Sequence, residues 1–154
     1  MQLLKIVLIV NVLAGCSPFL YSAHTKDTDI EFFSLSRNES AKKFKKYSLE
    51  RQFELYLAGM NRHPPYLFLA KIIAQKGEQA TRFLVGKLEE EKNEMNQFEI
   101  LFIFETMKSY GYYDISQNQT QMKIVKNAID SMTLEPIRKR SKDSLLKITA
   151  TNQE

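Results

Sequence analysis

The 154-residue chain contains one cysteine, two histidines, five glycines and no tryptophan. A single thiol, Cys16, rules out a disulfide within the chain, so apolar burial must hold the fold. Zinc sites draw mostly on cysteine and histidine, and His24 and His63 are far apart in the sequence with no cysteine beside either. The glycines form neither a Gly-x-Gly turn nor a phosphate-loop spacing, and no serine lies in a Gly-x-Ser-x-Gly context. No apolar run reaches the roughly 20 residues that span a bilayer. The charge surplus is small, 22 basic against 18 acidic side chains, and the basic residues do not interleave with aromatics. Nucleic acid is therefore not an expected partner.

The first sixteen residues have a three-part pattern. Lys5 precedes an apolar stretch from Ile6 to Leu13, broken only by Asn11, and the small residues Ala14 and Gly15 lead to Cys16. This is the shape of a secretory signal, too short for a membrane span. Leu13-Ala14-Gly15-Cys16 also resembles the lipobox of bacterial lipoprotein precursors. The resemblance covers only the start of the chain, and it implies an address and an anchor rather than an activity. It implies cleavage between Gly15 and Cys16, a diacylglycerol on the Cys16 thiol and a fatty acyl group on the new amine. The mature protein would then be exported and held to the inner or outer membrane, on the periplasmic side or at the cell surface. The alternatives are an ordinary signal peptide with an incidental cysteine, or a buried N-terminal strand. Two glycosylation sequons, at Asn38 and Asn118, would matter only in a eukaryotic secreted protein.

Residues 1–15 are thus expected as signal peptide and 16–46 as lipidated N-terminus and tether. Within that tether Ile30, Phe32, Phe33 and Leu35 form a short apolar patch that docks onto the domain or makes a brief strand. Lys42, Lys43, Lys45 and Lys46 read as the solvated start of a helix, or as a contact to anionic head groups. Residues 47–149 are expected as an all-α domain of about six helices, and 150–154 as a disordered tail. Ser48 is a candidate N-cap, followed by Leu49, Phe53, Tyr56, Leu57 and Met60 at helical spacing. Pro64-Pro65 ends that helix and opens a second one carrying Tyr66, Leu69, Ala70 and Ile73, closed by Gly77. A third spans Glu78–Lys92 and a fourth, the most apolar, Asn96–Ser109; its Phe98–Phe104 run marks it as the central helix. Gly111 stands as a helix C-terminal glycine. Met122, Val125, Ile129 and Met132 mark the fifth helix, and Glu135-Pro136 opens the sixth. Paired, these make three hairpins, either a small HEAT-like stack or an irregular helical bundle.

Few residues here have catalytic or ligand-binding character. His63, at a helix end, suits a capping or surface role. Asp27–Glu31 has oxygens but lacks the glycine turn of a calcium loop, and Glu89–Glu91 fan across a helix rather than converge. No metal and no cofactor beyond the covalent lipid at Cys16 is expected. Glu99 and Glu105 flank the apolar centre of the fourth helix, and each is expected to pair with a base from a neighbouring helix. The best candidates for partner contact are Tyr110, Tyr112 and Tyr113, because tyrosine combines large contact area with a polar tip, with Tyr66 and Phe68 after the double proline in a similar part. One or two of these rings could equally plug the core. The expected function is non-enzymatic: a membrane-anchored envelope lipoprotein whose helical domain binds a protein, toxin-neutralising or accessory to an envelope assembly. The alternatives are an envelope hydrolase using Glu99 or Glu105, and a lipid carrier with a cavity lined by Phe98, Phe102 or Phe104.

Overall fold

The computed structural model describes residues 27–150. The lipobox residues Leu13–Cys16, the signal segment and the tail beyond residue 150 lie outside these. The fold is all-α, with eight α-helices among the described residues. They are α1 (Asp27–Ser34), α2 (Arg37–Phe44), α3 (Leu49–Met60), α4 (Phe68–Ala74), α5 (Glu78–Glu90), α6 (Glu94–Ser109), α7 (Gln119–Ser131) and α8 (Glu135–Thr149), with a 3₁₀ turn at Ile115–Gln117 before α7. None is long and apolar enough to cross a membrane.

Polar side chains set the helix starts. The Ser48 hydroxyl accepts the Arg51 N–H (3.3 Å) and opens α3 as the sequence predicts. Asn93 accepts the N–H groups of Met95 (2.9 Å) and Asn96 (3.2 Å), so α6 begins two residues earlier than expected. Asn118 caps α7 through the Gln121 N–H (3.1 Å). Pro64 and Pro65 do not enter the first turn of α4, which starts three residues later with no side-chain cap. Glu94, in the first turn of α6, reaches across to α8. Its carboxylate accepts the Thr133 N–H (2.6 Å), the Thr133 hydroxyl (2.7 Å) and the Leu134 N–H (2.8 Å), and these bonds hold its carboxyl below the ordinary range.

Packing follows hairpins. Neighbours pair as α3 with α4, α5 with α6 and α7 with α8. Successive hairpins then stack in two rows: α4, α6 and α8 in one, α5 and α7 in the other. In the second row α3 meets α5 through an edge-to-face pair of Phe53 and Phe83 (6.0 Å) and a Lys87–Glu50 ion pair (2.8 Å). As predicted, α6 is central: it packs against α4, α5 and α8 and buries Ile100, Leu101, Ile103 and Phe104 completely.

The main departure from expectation is at the N-terminal end. Residues 27–44, predicted as tether, form two helices packed into the core, where Phe32 and Phe44 are fully buried. Among the described residues the helical domain therefore reaches back to residue 27, ahead of the expected 47, and has eight helices where about six were expected. The lysine run ends α2 instead of starting a helix, because Ser36 and Glu39 form a reciprocal capping box upstream. Lys42 and Lys43 fall in the last turn, where positive charge suits the helix dipole. Helices of eight residues are marginal alone, so tertiary contacts must hold α1 and α2. Phe32 stacks edge-on against Phe33 (5.1 Å), Lys43 pairs with Glu31 (2.6 Å), and Arg51 of α3 pairs with Asp29 of α1.

Truncating Phe32 to alanine should then cost about 3–5 kcal/mol of stability, as for other buried phenylalanines. A tether residue would change it by under about 0.5 kcal/mol. Urea unfolding of the variant separates the two outcomes.

Candidate binding groove

Where the α1–α2 pair meets the α3–α4 hairpin, the loop between α3 and α4 folds back on itself. The Gly59 carbonyl accepts the N–H groups of both Arg62 and Tyr66 (3.2 Å each). The Tyr66 hydroxyl donates to the Phe33 carbonyl (3.1 Å), and its ring meets Phe33 edge-on (5.0 Å) and Phe68 at a tilt (5.7 Å). Position 59 is tight: an added Cβ would lie 3.0 Å from the Tyr66 Cβ and 3.3 Å from the Phe33 ring, so these neighbours would have to give by a few tenths of an ångström.

These contacts shape an open groove of about 600 Å³. Phe33, Tyr66 and Phe68 provide aromatic surface, Leu35 and the exposed Leu67 (49 %) line it, and His63-Pro64-Pro65 complete one side. Two guanidinium groups lie over rings within it, Arg62 over Phe33 (4.4 Å) and Arg37 over Phe68 (5.1 Å). Among the described residues no acidic side chain lines the groove. Among the described residues neither arginine has a carboxylate partner, whereas Arg51, Arg82 and Arg138 each pair with one. Ring contact steadies a guanidinium without consuming its N–H donors. His63 is exposed and makes no bond to the end of α3, where Asn61 Nδ2 donates to the Leu57 carbonyl instead (3.1 Å). Of the two roles predicted for His63, the surface one holds.

The four tyrosines proposed for partner contact fall in two places. Tyr66 belongs to the groove, partly spent on clasping α1. The other three follow α6, whose end is a Schellman turn: Gly111 (φ 67°) donates to the Lys108 carbonyl (3.1 Å) and Tyr112 to the Met107 carbonyl (2.9 Å). Tyr112 and Tyr113 pack on the core, and Tyr112 accepts from Gln75 Nε2 (3.4 Å). Tyr110 is exposed (55 %), stacked on Tyr112 (5.7 Å) with Lys71 Nζ 3.8 Å from its ring centre. The structure does not join Tyr66 to this cluster by any direct ring contact.

The two helix carboxylates have separate partners. Glu105 pairs with Lys147 of α8 (2.7 Å), as expected, and accepts the Ser144 hydroxyl (3.1 Å); both partners and Phe98 and Phe102 share a shallow cleft of about 280 Å³. Glu99 takes no ion pair but accepts the Tyr56 hydroxyl from α3 (2.7 Å). Burial pushes the Glu99 carboxyl above the ordinary range, against the opposing pull of the Tyr56 hydroxyl and Arg140. Burial, and then the Glu99 charge, push the Tyr56 hydroxyl well above its usual value. Phe104 is fully buried. Among the described residues no group of three or more histidine, cysteine or acidic side chains could hold a metal ion.

No family model matches the chain, and no curated protein or solved structure matches it either.

The groove holds several residues that sequence reasoning passed over. Arg37 falls in the stretch read as tether, and Arg62 and Leu67 flank the double proline outside any helical period; of these, Leu35 alone belongs to the apolar patch expected to dock. The one local signal was the cationic and aromatic run Arg62-His63-Pro64-Pro65-Tyr66 itself.

Two outcomes follow. Gly59→Ala should destabilise the protein, since overpacking costs about 1–3 kcal/mol and exceeds the gain of about 1 kcal/mol or less from replacing a helical glycine. A raised denaturation midpoint would show that Tyr66 retreats freely. For Glu99, the folded carboxyl holds its proton to higher pH than the unfolded one, so ionisation costs stability as pH rises through that window. Glu99→Gln should therefore match the wild type near pH 4 and become the more stable protein as pH increases, measured by urea unfolding across pH. An advantage that grows towards acid would contradict this.

Proposed function

We propose that this chain is an exported, non-enzymatic envelope lipoprotein, held to a bacterial membrane by lipid at Cys16, whose helical domain binds a protein partner. The observation that supports binding is the groove of aromatic rings carrying two ring-held arginines, with no acidic lining and no carboxylate partner among the described residues. Aromatic and arginine side chains are enriched at the centres of protein interfaces, the rings because they bury large area at low entropic cost and arginine because its planar fork is pre-organised. Support for the anchor is the Leu13-Ala14-Gly15-Cys16 sequence after its apolar stretch. The two halves work together. A lipid-held domain meets membrane-proximal partners at raised effective concentration, so an interface of modest affinity suffices. Neutralising a toxin at the envelope and serving an envelope assembly as accessory subunit are both roles of this kind.

Labelling cells with a clickable fatty-acid analogue tests the anchor. Incorporation is expected in the wild type and should vanish in Cys16→Ala; an unlabelled wild type would remove the lipoprotein assignment. Pull-down of the intact protein from membranes tests binding. A partner should co-purify with the wild type and survive Cys16→Ala when both proteins are solubilised. Turnover of an envelope substrate by the purified chain, with no co-purifying protein, would overturn the non-enzymatic assignment.

A further inference from the structure

We infer that the groove between α1–α2 and the α3–α4 loop binds an extended acidic segment of a partner protein, with its carboxylates on Arg37 and Arg62 and an apolar side chain against the aromatic surface. This deepens the proposed binding role and rests on it. Charge complementarity points to the occupant. Arg37 and Arg62 are the groove's formal cations, no carboxylate lines it, and neither guanidinium is satisfied by a described residue. The guanidinium fork matches a carboxylate through two parallel N–H donors. Because Phe33 and Phe68 already steady the two cations, less side-chain freedom is lost when an anion arrives.

The remaining surroundings favour a peptide. Pro64 and Pro65 have no N–H to offer, so recognition along that side falls to side chains and to apolar contact. Leu67 and the rings of Tyr66 and Phe68 supply the apolar contact. Anionic membrane surfaces are read by clusters of several lysine and arginine side chains. The lysines that come nearest to one, Lys42 and Lys43 of α2 and Lys46 beyond its end, line an adjoining shallow cleft that shares Leu35 with the groove and also holds Glu39.

The test is fluorescence anisotropy of the full-length protein in detergent. The probe is a dye-labelled peptide of alternating glutamate and leucine, compared with the same peptide bearing glutamine for glutamate. The acidic peptide should bind about tenfold more tightly or better, the equivalent of one carboxylate–guanidinium pair. The double variant Arg37→Gln/Arg62→Gln should lose that preference, while Lys42→Gln/Lys46→Gln keeps it. If the double variant unfolds, Arg62→Gln alone should still weaken the acidic peptide severalfold. Equal binding of the two peptides, or a preference that survives the arginine changes, would overturn the inference. So would arginine-dependent binding to phosphatidylglycerol vesicles without binding of the acidic peptide. None of these results depends on lipid at Cys16. A negative result here, beside a partner whose pull-down withstands the arginine changes, would leave the binding role standing and move its surface elsewhere.

Discussion

The fold depends on the burial of α6 from several sides at once. Its apolar run from Phe98 to Phe104 meets α4, α5 and α8, so hydrophobic contact is available around most of the helix. A helix enclosed in this way must also place each polar group it carries, because an unpaired polar group in the interior costs more than a hydrogen bond gains. Thr106 donates to the Phe102 carbonyl (2.8 Å), Glu105 turns to Lys147, and Glu99 takes the Tyr56 hydroxyl. Gln97 donates to the Glu91 carbonyl (2.8 Å), although its Oε1 takes no hydrogen bond from a described residue. Polar contacts from α6 therefore run outward to α3 and α8 and fix which neighbour lies where.

The two-row stack explains why the groove is where it is. A stack of hairpins exposes apolar surface at its ends, and terminal units must cover it. At the N-terminal end α1 and α2 perform that task with Phe32, Phe33 and Phe44. Two helices of eight residues cannot cover the α3–α4 end as fully as a long hairpin would. The seam left beside them is the groove, and its aromatic rings do two jobs. Phe33 packs on Tyr66 within the core boundary and also carries the Arg62 guanidinium.

Much of the helical frame was legible in the sequence. Ser48 as a cap, Met122, Val125, Ile129 and Met132 as one buried face, and Gly111 as a helix end all rest on local rules of spacing and capping, whereas Gly77, expected to close α4, stands at the N-cap of α5. What escaped was non-local. Asp27–Ser34 has too few turns for a helical period to stand out, and Ile30, which suggested a docking patch, is largely exposed (57 %) while Phe32 carries the burial. The capping box at Ser36 and Glu39 was a local signal and would have marked α2. The groove had no such signal, because its two cation–ring pairs join Arg37 to Phe68 and Arg62 to Phe33. Both contacts exist only after α1 and α2 have folded against α4 and its leading loop.

Placing α1 and α2 in the domain alters what a lipid at Cys16 would do. With residues 16–46 as a tether, the binding domain could sweep a large volume above the membrane. With α1 beginning at Asp27, only the residues between Cys16 and that helix separate anchor from domain. Whatever their conformation, a chain of that length spans at most about 35–40 Å at roughly 3.3–3.6 Å per residue. The groove contains Leu35, from the link between α1 and α2, and Arg37, the first residue of α2, so it belongs to the part of the domain nearest Cys16 in sequence. Effective concentration is highest when the span matches the sites it joins and falls as the linker lengthens. With lipid at Cys16, so short a connection would concentrate the groove on partners near the membrane surface, and would narrow the proposed partner by position as well as by charge.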